Sequence, residues 1–112
     1  MIRCLLCNRE PMRASADIAD TFFRRLTGLL GKTHLPPDYC LILTPCSGIH
    51  MFFMKMPLDI AYLDSEGRVL ALEPGLAPWR VGKAPRGTRT VLEAPVGGVL
   101  TRLCPGDQIS WH

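Results

Sequence analysis

Leu58 to Leu72 reads as two short strands joined by a tight turn, and no other segment so restricts what the chain can become. In an extended backbone Leu58, Ile60 and Tyr62 share one face, while Asp59, Ala61 and Leu63 share the other. Asp64-Ser65-Glu66-Gly67 ends the first strand. Aspartate suits the first position of a type I turn, and glycine suits the last, where a positive φ makes the bulge that lets the flanking strands pair. Arg68 to Leu72 then returns antiparallel. The apolar run Ile49 to Met56, set off by Pro57, reads as a further strand leading into the hairpin.

Elsewhere the chain is punctuated in the same manner. Tyr39 to Thr44 is an apolar run ended by Pro45, and Cys46-Ser47-Gly48 supplies a turn. Thr88 to Ala94, Val99 to Leu103 and Gln108 to Trp111 are predicted strands, separated by turns at Pro95 to Gly98 and at Pro105-Gly106-Asp107. Between Glu73 and Gly87 the prolines and glycines are dense enough to exclude regular structure, and a loop of that length is a site candidate by position. Only Ser15 to Leu30 departs from this pattern. There Ile18, Phe22, Leu26 and Leu29 recur every three to four residues, which predicts an amphipathic helix stopped at Gly31, and Leu35-Pro36-Pro37-Asp38 connects it onward. The expected fold is mainly β: a single small antiparallel β-barrel or sandwich with one N-terminal amphipathic helix over an open end.

At 112 residues the chain suits one domain with one core, spanning about residues 14–111, with 1–13 loosely ordered or an edge segment. Apolar residues at 47% and charged residues at 21% fit a soluble globular protein rather than a disordered one. The net charge of +3 is scattered, and its longest concentration, Arg80, Lys83, Arg86 and Arg89, reads as a solvated loop. No nucleic-acid partner is expected. The apolar run Cys4 to Cys7 is too short for a secretory signal or a membrane span, so a cytoplasmic location is expected. Five cysteines, an odd number, argue for reduced thiols rather than a disulfide framework.

Several constellations could carry chemistry. Asp59 and Glu93 interrupt apolar strands, and a carboxylate facing a core must be paired or have its ionisation suppressed. Arg25, Lys55, Arg80 and Arg102 are the cations available to pair with them. In the long loop Trp79-Arg80 combines a stacking surface with a cationic donor, which suits planar or anionic ligands. Cys4 and Cys7 have metal-ligand spacing, and His50 with Met54 and Met56 would project from one face of a strand as soft ligands. Phosphate-cradling loops, nucleophile elbows and zinc helices are all missing from the sequence.

Together, Arg25 to Gly31, Cys46 to His50 with Phe52-Phe53-Met54, Pro57 to Ile60, Asp64 to Gly67, Pro78-Trp79-Arg80, Val91-Leu92-Glu93 and Pro105-Gly106-Asp107 resemble the family catalogued as domain of unknown function 192. The resemblance implies a jelly-roll-like β fold and no assigned activity. It also implies recurring positions at Gly28, Met54, Pro57, Asp59, Glu93, Gly106 and Asp107. Many relatives resemble exported proteins with a leader. The leading expectation is therefore a non-catalytic small-ligand-binding or accessory domain, with a candidate site at Asp59, Glu93, Trp79, Arg80 and His50, no cofactor, and an unidentified small molecule or protein as partner. The alternatives are a small hydrolase or isomerase using Asp59 or Glu93 with His50, and a metal-binding protein using Cys4 and Cys7 or His50 and Met54.

Overall fold

The structure is a computed structural model, and it describes residues 2–19, 29 and 32–112. The strands are β1 (Ile2–Cys7), β2 (Glu10–Ala19), β3 (Tyr39–Leu43), β4 (Leu58–Leu63), β5 (Val69–Leu76), β6 (Thr90–Pro95) and β7 (Ile109–Trp111). They form one seven-stranded sheet in the order β5-β4-β6-β3-β2-β1-β7. All neighbours are antiparallel except β2 and β3, which run parallel.

The turns behave as backbone chemistry dictates. Asp64 Oδ1 accepts the amides of Glu66 and Arg68 at 2.8 and 2.9 Å, and Gly67 has a φ of 84°. A Cβ on Gly67 would lie 2.4 Å from the Ile109 carbonyl oxygen, so glycine is required there for space as well as for φ. The β1–β2 hairpin turns at Asn8 and Arg9, both at positive φ, as a two-residue loop between right-twisted strands requires.

The expected closed barrel or sandwich is not found, because the sheet is open. Its edge strands β5 and β7 meet only at one corner, where Arg68 and Gln108 form an isolated bridge. There the Val69 amide donates to Asp107 O and the Ile109 amide to Gly67 O, each at 2.9 Å. β7 is three residues long and pairs with β1, so no ladder continues across the gap.

The expected N-terminal helix is likewise overturned. Ser15 to Ala19 lie in β2 and pair with Tyr39 to Leu43, so long-range ladder bonds override the local three-to-four periodicity. The remainder of that expected helix, residues 20–28 and 30, lies outside the described residues. Val99–Arg102, expected as strand, is a 3₁₀ turn that buries Val99 and Leu100. Ile49 to Met56 is not a strand either, since only His50 bridges, to Val81.

Strands β3, β4 and β6 are buried on both faces, and their alternation separates two apolar layers. Cys40, Ile42, Ala61, Leu63, Leu92 and Ala94 point to the inner layer, which receives side chains from all seven strands as the sheet curls around it. Leu41, Leu43, Leu58, Ile60, Tyr62 and Val91 point to the outer layer. That layer is covered by Leu35, Met51 and Met54 from the connecting segments. Met51 and Met54 are three residues apart in a non-helical turn, so both insert while Phe52 and Phe53 between them are turned outward.

Candidate functional site

Asp59 and Glu93 lie on neighbouring strands but do not share a site. In the β4–β6 register Asp59 stands opposite Ala94, and Glu93 stands opposite Ile60. Directly paired residues project to the same side of a sheet. Asp59 therefore faces the inner layer and Glu93 the outer one.

Asp59 is held by backbone, not by the cations suggested for it. β5 carries a bulge here: Leu58 pairs with Leu76 and Ile60 with Glu73, so Pro74 and Gly75 together oppose Asp59. Proline has no amide to lose, and Gly75, at a φ of 62°, turns its amide to Asp59 Oδ1 at 2.9 Å. The other oxygen, Oδ2, accepts from Gly97 at 3.0 Å, another glycine at positive φ. With only 4% exposure, the carboxylate clasps the β5 bulge to the turn after β6. Arg102 instead donates to the Met12 carbonyl at 2.6 Å, and Arg25 lies outside the described residues.

Glu93 is buried to a similar degree. Among the described residues no hydrogen bond or ion pair reaches its carboxyl, and burial raises its pKa to about 7. Across the sheet, Glu73, Ile60 and Glu93 form one row on the outer face, which places the two glutamates about 10 Å apart over two strand spacings. Next to this row Tyr62 donates its hydroxyl to Glu73 Oε1 at 2.7 Å, and the Lys83 amide donates to the same oxygen at 2.9 Å. Burial first, and then the bond to Glu73, pushes the Tyr62 phenol above its usual range. The sequence gives no sign of this pairing, because Glu73 opens a proline- and glycine-rich stretch that reads as a loop, whereas the bulge keeps it in β5.

Above this layer the segments 49–54 and 79–82 pair locally. Met51 donates to Arg80 O and Trp79 donates to Met51 O, both at 2.7 Å, and Gly82 donates to Ile49 O at 2.9 Å. The pairing assembles an aromatic tip. His50 stacks on Phe52 with centroids 4.7 Å apart, Phe52 lies 6.1 Å from Trp79, and Trp79 packs at 4.7 Å on Phe53. Phe53 is 67% exposed and Trp79 59%. Both have left-handed backbone, at φ 65° and 68°, where bulky residues are genuine outliers. Arg80 is exposed beside them. Of the five candidate residues the fold thus brings together His50, Trp79 and Arg80, and puts Asp59 and Glu93 on opposite faces of the sheet.

The metal-site arrangements do not form as drawn. Cys4 and Cys7 are three apart in a strand and point to opposite faces, with Cys4 exposed and Cys7 half-buried. Burial first, then Asp107, raises the Cys7 thiol, the reverse of what a thiolate ligand needs. Met54 sits in the core while His50 lies on the surface. No group of three or more His, Cys, Asp or Glu able to hold a metal occurs among the described residues. A groove of about 360 Å³ at the far end is lined by Asp64, Glu66, Arg89 and Trp111 among others, and by none of the candidate residues.

Comparison with known proteins adds the following. The family model described as "Uncharacterized ACR, COG1430", DUF192, matches residues 6–111. A UPF0127 protein of Thermococcus sibiricus is 37% identical over 103 residues, covering 85% of this chain and 64% of the relative. The UPF0127 protein of Thermococcus gammatolerans is 35% identical over 101 residues, 85% of this chain and 65% of its own length. The chain thus spans just under two thirds of these relatives. A crystal structure of a protein of unknown function from Novosphingobium aromaticivorans superposes with a TM-score of 0.78 at 22% identity, covering 99% of this chain and 84% of the other, which shows a shared fold.

Proposed function

The chain belongs to the DUF192 family, and on that footing we propose that it is a non-catalytic binding domain whose recognition surface is the aromatic tip of His50, Phe52, Phe53 and Trp79, with Arg80 at its side. One observation carries this reading. Phe53 and Trp79 are largely exposed and yet held at positive φ, a conformation that costs on the order of 1 kcal/mol or more per residue. Exposed rings return little of that cost through burial, so folding alone is a poor reason for them.

The acid–base alternative with His50 finds less support. Glu93 has a pKa suited to proton transfer near neutrality, but at 5% exposure it lies sealed in the outer layer, whereas His50 stacks on the surface.

The reading is tested without knowing a ligand. Phe53→Gly and Trp79→Gly relieve the left-handed strain and remove exposed area. Each is expected to leave a cooperative thermal transition within about 5 °C of the parent, the shift that about 1 kcal/mol produces in a chain of this size. A loss of cooperative unfolding in either variant would show the tip to be structural, and the proposal would fall.

A further inference from the structure

We infer that the aromatic tip docks on an anionic bilayer surface, an assignment that rests on the tip being a binding surface. Three observations converge on this partner. The first is ring packing: His50, Phe52, Trp79 and Phe53 follow one another with ring centroids 4.7 to 6.1 Å apart, so they present one continuous ring-lined prominence. Val81, bridged to His50 and 61% exposed, extends it.

The second is charge. Lys55, Arg80, Lys83 and Arg86 flank the ring-bearing segments in sequence and are all exposed, while residues 49–58 and 74–92 contain no aspartate or glutamate. Glu73, which precedes the second of these stretches, has an oxygen already taken by Tyr62 and the Lys83 amide. Aromatic side chains ringed by Lys and Arg fit the boundary between headgroups and acyl chains, where rings enter the apolar side and cations meet anionic headgroups. Such docking needs no spanning element, and no helix among the described residues is long and apolar enough to cross a membrane.

The third is rigidity. Backbone bonds between segments 49–54 and 79–82, and Met51 and Met54 anchored in the core beneath, hold the rings outward before any surface is met. A preformed tip loses little freedom on docking.

The full chain should be sedimented with vesicles of equal parts phosphatidylserine and phosphatidylcholine, and with phosphatidylcholine alone. A Trp111→Phe background leaves Trp79 as the only tryptophan, because the chain has two. Binding is expected to the anionic vesicles, with a blue shift of Trp79 emission and weakening by salt. Arg80→Gln with Lys83→Gln is expected to weaken partitioning about 25-fold, near fivefold per cation removed. Phe53→Gly is expected to abolish the blue shift while the chain remains folded.

The assignment is overturned if folded protein ignores anionic vesicles, or if binding survives loss of the rings. It is also overturned if Trp79 is quenched by a single-stranded oligonucleotide and not shifted by vesicles, or if the tip is consumed by concentration-dependent dimerisation. A Phe53→Gly chain that fails to fold would refute the underlying reading. A folded one beside unbound parent protein and anionic vesicles refutes the bilayer alone.

Discussion

The inner and outer faces of β3, β4 and β6 each carry one buried carboxyl, Asp59 inside and Glu93 outside, on residue pairs that adjoin in the same ladder. Inside, two glycine amides meet both carboxylate oxygens. Outside, Glu93 has no described partner, and the layer above it ends in exposed rings on strained backbone. The inner carboxylate is thus satisfied by backbone amides of its own chain, while the outer face carries exposed rings on strained backbone. Exposed groups held on strained backbone are where binding is to be sought.

If this contrast is sound, removing the inner carboxylate should have the largest effect on stability. Asp59→Ala removes the acceptor of two part-buried amides and frees the β5 bulge from the turn at Gly97, which costs about 4 kcal/mol for two bonds to a charged acceptor. Asp59→Asn keeps one good acceptor and should cost about half as much. Urea midpoints at constant slope measure both. A change below about 1 kcal/mol for the alanine variant would mean that the clasp is unimportant and the two faces are alike.

Glu93 should give a smaller effect of opposite sign. Its folded pKa of about 7 lies above the ordinary 4.5, so the folded state binds the proton more tightly than the unfolded one. Below 4.5 the burial carries no ionic penalty. Stability falls as pH rises through the window from 4.5 to 7, and the full loss, about 3 kcal/mol, is present above 7. Glu93→Gln should flatten this part of the profile and be more stable than the parent at pH 8. An unchanged slope would mean that Glu93 ionises freely and that the outer face is satisfied after all.

Both carboxyls stood out in the sequence because they interrupt apolar strands, but their difference did not. Strand parity assigns Asp59 to the face of Ala61 and Leu63, and Glu93 to that of Val91. Which of those faces is shared depends on the β4–β6 register, set by pairing across some thirty residues. Asp59's donors were hidden for another reason: Pro74-Gly75 reads as a loop, whereas an edge strand absorbs it as a bulge with proline's missing amide at no loss. The hairpin at Asp64 to Gly67 was legible because its chemistry is local. Ser15 to Ala19 was not, since its helical spacing yields to a parallel ladder with β3. Trp79-Arg80 was legible as a stacking and cationic pair, but left-handed Phe53 and Trp79 have no sequence signature.

The cover over the outer face supplies the next effect. Gly82 lies against the layer so closely that a Cβ would approach the Tyr62 hydroxyl at 2.2 Å and Ile49 Cγ2 at 2.6 Å. Gly82→Ala must displace the 79–82 segment or the tyrosine, at about 2 kcal/mol, a typical cost of overpacking. Thermal unfolding measures this loss, and Trp79 emission should change with it because the same segment positions the ring. An effect on neither would place the cover loosely above the sheet.

The smallest effect separates cover from core most finely. Tyr62→Phe removes the hydroxyl bond to Glu73 without removing the ring from the outer layer, and should lower stability by about 1 kcal/mol. The Lys83 amide keeps its bond to the same carboxylate oxygen, so the loss should remain local. Amide exchange at Lys83 and Gly82 should quicken, while exchange in β3 and β6 should follow global stability alone. Glu73 then has one anchor in place of two and restrains the 79–83 segment less. Were exchange to rise equally in both regions, the outer cover and the central strands would open as one unit, and the rings would be part of the folded core rather than a surface carried by it.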